Sequence, residues 1–194
     1  RFCGGGYHRL QIPPSDHLGR HGLHGRARSR ALLGRARVKP LAGRFYRLIE
    51  KARAGEILAP ARSPEGRFHH AGQQAMYLSE TPEGCHVAMA YYARPDSPAL
   101  SLHALELSNA LILDLRDSTQ CARLGIDPAN ANNRWQIERS EGLQASTWAI
   151  SDAARLAGAD GMLSLSRSRP ELTHLTLFCW NKPNGPALRA IAAL

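Results

Sequence analysis

The sequence predicts an α+β fold. Short apolar runs with strand character recur from residue 44 to the end of the chain, and helix start signals fall between some of them. The two kinds of element do not alternate in a regular β-α-β order, which argues against a parallel doubly wound sheet. Hydrophobic residues make up 43% of the 194-residue chain, enough to bury the core of one moderate domain.

Residues 44–49 (RFYRLI) read as a first strand, followed by a Pro- and Gly-containing loop over 58–70. Residues 75–79 (AMYLS) form a short strand. Thr81-Pro82-Glu83 then starts a helix: Thr supplies the N-cap oxygen, Pro suits the first helical position, and Glu complements the helix dipole. That helix is expected to reach about Tyr92. Residues 100–107 and 110–115 read as two strands with a turn at Ser108-Asn109. Asp117 is placed to cap a short helix ending at Gly125, and residues 126–140 are polar and irregular. A helix over 143–156 has its apolar face on Leu143, Trp148, Ala149, Ala153 and Leu156, with Gly158 at C′. Residues 161–165 and 174–180 are the last two strands.

Charge divides the chain in two. Residues 1–40 hold nine Lys and Arg against one acid, a net +8, whereas residues 41–194 hold 16 bases and 15 acids, a net +1. The basic segment lacks periodicity and reads as a disordered tail or an upstream extension of a 41–194 domain. The domain body is nearly neutral, so nucleic-acid binding is expected at most through the tail. His17, His21 and His24 have helical spacing in that tail, but its glycines disfavour a helix, and no metal site is expected. No apolar run is long enough to span a membrane and no secretion signal opens the chain. Cys3, Cys85, Cys121 and Cys179 are irregularly spaced, which fits a cytoplasmic protein without disulfides.

No dinucleotide fingerprint, nucleophile elbow or phosphate-binding lysine loop is present. Two segments draw attention instead. Residues 66–79 form a polar loop with Arg67 that runs into the strand carrying Tyr77. Residues 158–178 run from a helix end through a strand to Ser166-Arg167-Ser168-Arg169, then into another strand. Arg47 lies in an otherwise apolar strand, on the face opposite Tyr46 and Leu48. If that face borders a cleft, its guanidinium needs an anionic partner. Each reading has a plain alternative: a solvated arginine, a half-buried strand tyrosine, a turn between strands.

In order along the chain, these segments resemble the RES family. Phe45-Tyr46-Arg47 is similar to its opening strand, and Gly66-Arg67-Phe68 with Tyr77-Leu78-Ser79 to its "GRW…ALYLS" stretch. Leu113-Asp114-Leu115 with Leu124-Gly125-Ile126 resembles its "LDLTD…LGI" element. Gly158-Ala159-Asp160-Gly161, Ser166 and residues 173–178 fall where the family has its "G.DG", its serine and its "TNLVLF" strand.

The resemblance implies an ADP-ribosyltransferase-like fold of mixed or antiparallel sheets with flanking helices. It implies NAD as substrate, by hydrolysis or ADP-ribosyl transfer, in a toxin restrained by a companion Xre-like antitoxin. It implies that Arg47 holds the pyrophosphate or ribose side of NAD, that Tyr77 packs on nicotinamide and that Ser166 hydrogen-bonds it, with Arg67 a second anion-binding residue. These side chains are expected to border one cleft. Cleaving the nicotinamide–ribose bond develops positive charge on the ribose, which a nearby carboxylate stabilises. The family's glutamate position is Ala88 here. Glu83 is accounted for by the helix dipole; Glu80, at the helix entrance, is the candidate acid, unless the acid comes from elsewhere in the chain. The alternative is a relative impaired in catalysis that serves as a nucleotide- or protein-binding module.

Overall fold

The computed structural model describes residues 38–194. Expectations for the basic segment, including its histidines, lie outside the described residues apart from its last three. Strand β1 (Lys39–Glu50) begins inside that segment, with Val38 buried beside it, so residues 38–40 belong to the body. The remaining strands and α-helices are β2 (Met76–Ser79), α1 (Pro82–Ala90), β3 (Leu100–Asp114), α2 (Ser118–Arg123), α3 (Trp135–Ser140), α4 (Ser146–Leu156), β4 (Gly161–Leu165), β5 (Thr173–Leu177) and β6 (Ala187–Ala193). The class is α+β, as the mixed order of elements predicts.

The strands form one sheet in the order β1-β2-β5-β4-β3-β6, and β1 also pairs with β3, so the sheet closes on itself. The β1–β3 ladder is antiparallel along nearly the whole of both strands. β3 meets β6 along its first half and β4, in parallel, at its end. The expected turn at Ser108-Asn109 is instead a bulge in one continuous strand: Leu41 faces Ala110 and Gly43 faces Leu107, with Asn109 at φ 58. Asn tolerates that left-handed conformation, so the extra residue is absorbed without ending the strand.

Helix α1 starts as its sequence predicts, with Thr81 Oγ1 accepting from Gly84 N at 3.1 Å, but ends at Ala90. Asp117 caps α2 through Gln120 N. Helix α4 starts three residues later than expected. Its buried face is Thr147, Trp148, Ile150, Ser151 and Ala154, while Leu143 and Leu156 are exposed. Its end matches expectation: Gly158 N donates to Arg155 O and Ala159 N to Ala154 O, with Gly158 at φ 79. Helix α3 and strand β6 were not expected. The first is a six-residue helix without a side-chain cap, and the second is an Ala-rich edge strand whose one buried residue is Leu188. Neither carries much periodic signal.

Candidate active site

Period-2 alternation splits β2, β5 and β4 into two faces. Met76, Leu78, Leu175, Leu177 and Leu163 point to one side and join the main apolar cluster with Phe45, Leu105 and Ile112. Tyr77, Ser79, His174, Thr176 and Ser164 point to the other side, where they form the floor of a cavity of about 380 Å³. That size falls within the usual range for small-molecule sites. The register arranges this floor in rows: Tyr77 lies opposite Thr176, and Ser79 and Ser164 both lie opposite His174.

The loop over 63–70 forms one wall, pinned from three directions. Trp148 Nε1 donates to Gly66 O at 2.8 Å, Thr147 Oγ1 donates to Arg67 O, and Arg67 donates from Nε to Ala131 O at 3.0 Å. His69 fixes Tyr77 in turn. Its Nε2 lies 3.0 Å from Ser63 O, a pure acceptor, so Nε2 carries the proton and Nδ1 accepts from the Tyr77 hydroxyl at 2.8 Å. The same hydroxyl accepts from Phe68 N at 3.1 Å. Burial pushes the Tyr77 phenol above its ordinary range, so this residue serves as a neutral ring held by its oxygen. Gly66 is required here because a Cβ would sit 2.5 Å from His69 Cε1 and 3.0 Å from Tyr77 Oη.

Arg67 lines this wall, and burial first, then the Arg167 charge, lowers its pKa to about 10. Arg167 reaches the cavity from the turn after β4 and lies 5.7 Å over the Tyr91 ring. Among the described residues neither arginine forms a salt bridge. Two guanidinium groups without carboxylate partners make the cavity attractive to an anion. Ser166 lines it too, 4% exposed, with Oγ accepting from Arg169 N at 3.4 Å. Ala88, Tyr91 and Tyr92 from the end of α1, with Trp135 and Gln136 from α3, form the rim. Gln136 Nε2 donates to Tyr92 Oη at 3.2 Å across it. Among the described residues no group of three or more His, Cys, Asp or Glu is gathered to hold a metal.

The structure therefore brings Tyr77, Ser166 and Arg67 together, with Ala88 at the edge. It does not bring Arg47. That side chain turns to the loop after β1, where Nη1 donates to Ile57 O at 2.5 Å and to Ala59 O at 2.7 Å. Burial lowers its pKa to about 10, with the Arg53 charge a second cause. Backbone carbonyls, which no strand pattern reveals, are its partners in place of an anion. Glu80 also lies outside the cavity: it is exposed, with Oε1 3.9 Å from Arg116 Nη1. The carboxylate that does line the cavity is Glu65, paired to Arg139 Nε at 3.2 Å. In the sequence it is one more polar residue in a loop, just before the 66–79 segment, and nothing local marks it. His174 and Ser164 were likewise hidden inside apolar strand runs.

The RES domain family model matches residues 36–193. No curated protein matches the chain. Among solved structures, a chain from "Crystal structure of the M.tuberculosis MbcT-MbcA toxin-antitoxin complex" matches with a TM-score of 0.53 and 18% identity, over 85% of this chain and 91% of that chain. This likeness shows a shared fold.

Proposed function

The chain belongs to the RES domain family, and on that premise we propose that it binds NAD in this cavity and cleaves the nicotinamide–ribose bond, as the toxin of a toxin–antitoxin pair. The observation that carries the reading is the pairing of a fixed neutral ring, Tyr77, with two arginines lacking carboxylate partners, Arg67 and Arg167, on one cavity. A dinucleotide carries the matching groups: a flat base to stack on the ring and a pyrophosphate for the guanidinium forks. Ser166, buried at the end of β4, offers a hydroxyl proton to the carboxamide or ribose.

Bond cleavage leaves positive charge on the ribose, and a carboxylate close to that carbon lowers the barrier. With Ala88 at the family's glutamate position, Glu65 is the carboxylate available from the cavity lining. The partner we propose is a cognate Xre-like antitoxin, in keeping with the complex in which the structural neighbour was solved.

The test is nicotinamide release from NAD by the purified chain, with NAD binding measured alongside. Turnover lost in Glu65→Gln and binding lost in Arg67→Ala are the expected results. Ala88 favours a second reading, a binding module without turnover; it is adopted if NAD binds and no nicotinamide appears. Failure of the chain to bind NAD at all ends both readings.

A further inference from the structure

One row of the cavity floor is not used by the contacts above. Ser79, His174 and Ser164 stand side by side on three neighbouring strands, β2, β5 and β4, in direct register. Ser79 Oγ lies 2.7 Å from His174 Nδ1. At the far end Ser164 is 1% exposed, and its Oγ has no hydrogen-bond partner among the described residues. A buried hydroxyl left unpaired is destabilising, and native proteins rarely keep one unless water or a ligand fills it. Packing alone is satisfied equally well by alanine at this position. His174 faces the same space, and among the described residues its Nε2 also lacks a partner. Ser164 Oγ is almost closed off from solvent, so the only group small enough to pair with it when substrate binds is a water molecule.

We propose that Ser164 and His174 hold the water that attacks the ribose, which makes this chain a hydrolase within the NAD-cleaving reading on which the proposal rests. With Nδ1–H donating to Ser79 Oγ, the lone pair of His174 Nε2 faces the cavity. The Tyr77–Thr176 row lies two residues away along the same strands, a separation of roughly 7 Å. In this proposal the nicotinamide stacks on Tyr77 and its ribose lies over the polar row. The water oxygen bonds to the anomeric carbon as the bond from that carbon to the nicotinamide nitrogen breaks. The electron pair of the broken bond leaves with neutral nicotinamide, and the water proton goes to His174 Nε2 and then to solvent. The products are ADP-ribose and nicotinamide. Burial holds the imidazole pKa near 4, with the Arg67 charge a second cause, so the ring starts the reaction neutral.

The experiment compares wild type, Ser164→Ala, His174→Asn and His174→Gln. For each, kcat for nicotinamide release, Kd for NAD by calorimetry and Tm are measured. General-base loss typically lowers rates about a hundredfold or more. We expect that drop in kcat for both His174 variants, about tenfold for Ser164→Ala, and Kd within threefold of wild type throughout. Ser164→Ala is the decisive variant because it removes an unpaired hydroxyl: its Tm should hold or rise while kcat falls. The solvent deuterium effect on kcat should shrink in the His174 variants, a change that a structural role would not produce. Unchanged kcat with Kd raised tenfold would show that the row binds the ligand itself, and overturns this inference alone. A Tm loss in Ser164→Ala that parallels its loss of rate overturns it equally. Absence of NAD binding by wild type overturns the functional reading and the inference together.

Discussion

The floor of the cavity and its rim hold their side chains by different means. On the floor, Tyr77 takes two hydrogen bonds at its oxygen, Ser79 and His174 bond to each other, and strand register sets which residues are neighbours. At the rim, Tyr91 and Tyr92 are 58% and 52% exposed, meet each other edge to face at 5.4 Å, and are tied to α3 by the Gln136 bond. Ala88 is exposed there as well. A site needs both parts: a preorganised surface for the reacting end of the ligand, and an edge that admits it. It follows that substitutions of hydrogen-bonded groups on the floor should disturb fold and function together, whereas those at the rim, and that of the unpaired Ser164 hydroxyl, should alter function alone.

The largest effect expected is from Gly66→Ala. The new Cβ would meet His69 and Tyr77 at 2.5–3.0 Å, so the imidazole–phenol bond must give way. Overpacking of this kind costs typically about 1–3 kcal/mol, or roughly 3–10 °C in Tm for a chain of this size. Calorimetry should record that loss together with loss of NAD binding. A neutral outcome would mean that the wall is softer than its hydrogen bonds imply.

Arg47→Ala tests a fixed part of the molecule outside the cavity. It leaves the Ile57 and Ala59 carbonyls without their donor, at a cost of about 2 kcal/mol. Denaturant melts should show the loss, while NAD affinity of the folded variant stays unchanged. A selective loss of affinity would return Arg47 to the ligand.

Acid should weaken the floor. Burial lowers the His174 pKa from 6.5 to about 4, so between those values the unfolded chain binds a proton that the folded chain does not. Stability contributed by the neutral ring is therefore whole above pH 6.5, falls as pH drops through the window, and is gone by about pH 4. The linkage amounts to about 3 kcal/mol. Urea midpoints across pH 4–7 should fall less steeply in His174→Asn than in wild type; equal slopes would show that His174 titrates normally.

The smallest change is expected at the rim. Ala88→Glu restores a carboxylate at the family's position, but in exposed surroundings where solvent weakens it. We expect nicotinamide release to rise about tenfold, equivalent to about 1.4 kcal/mol, with Tm unchanged and Ala88→Gln inactive as a substitute. No gain with Glu would place the reacting carbon away from α1.

Strands β1, β2, β4 and β5, the caps at Thr81 and Asp117, and the helix end at Gly158 were legible because each depends on neighbours within a few residues. The bulge at Asn109 was not, since the same two residues suit a turn, and only the partner strand β1 decides between them. Tyr77, Arg67 and Ser166 could be matched to a family by order and spacing, and the fold brings them to one cavity. Arg47 and Glu80 look equally plausible in one dimension. Their side chains are settled by what lies close in space: two carbonyls ten and twelve residues along the chain for Arg47, and Arg116 on another element for Glu80. Glu65, Ser164 and His174 enter the site for the same reason. Most local elements and the α+β class follow from the sequence alone, because hydrogen-bonding and packing periods are written in adjacent residues. Which charges and hydroxyls share a cavity follows from three-dimensional packing, because that depends on strand register and sheet closure between residues far apart in the chain.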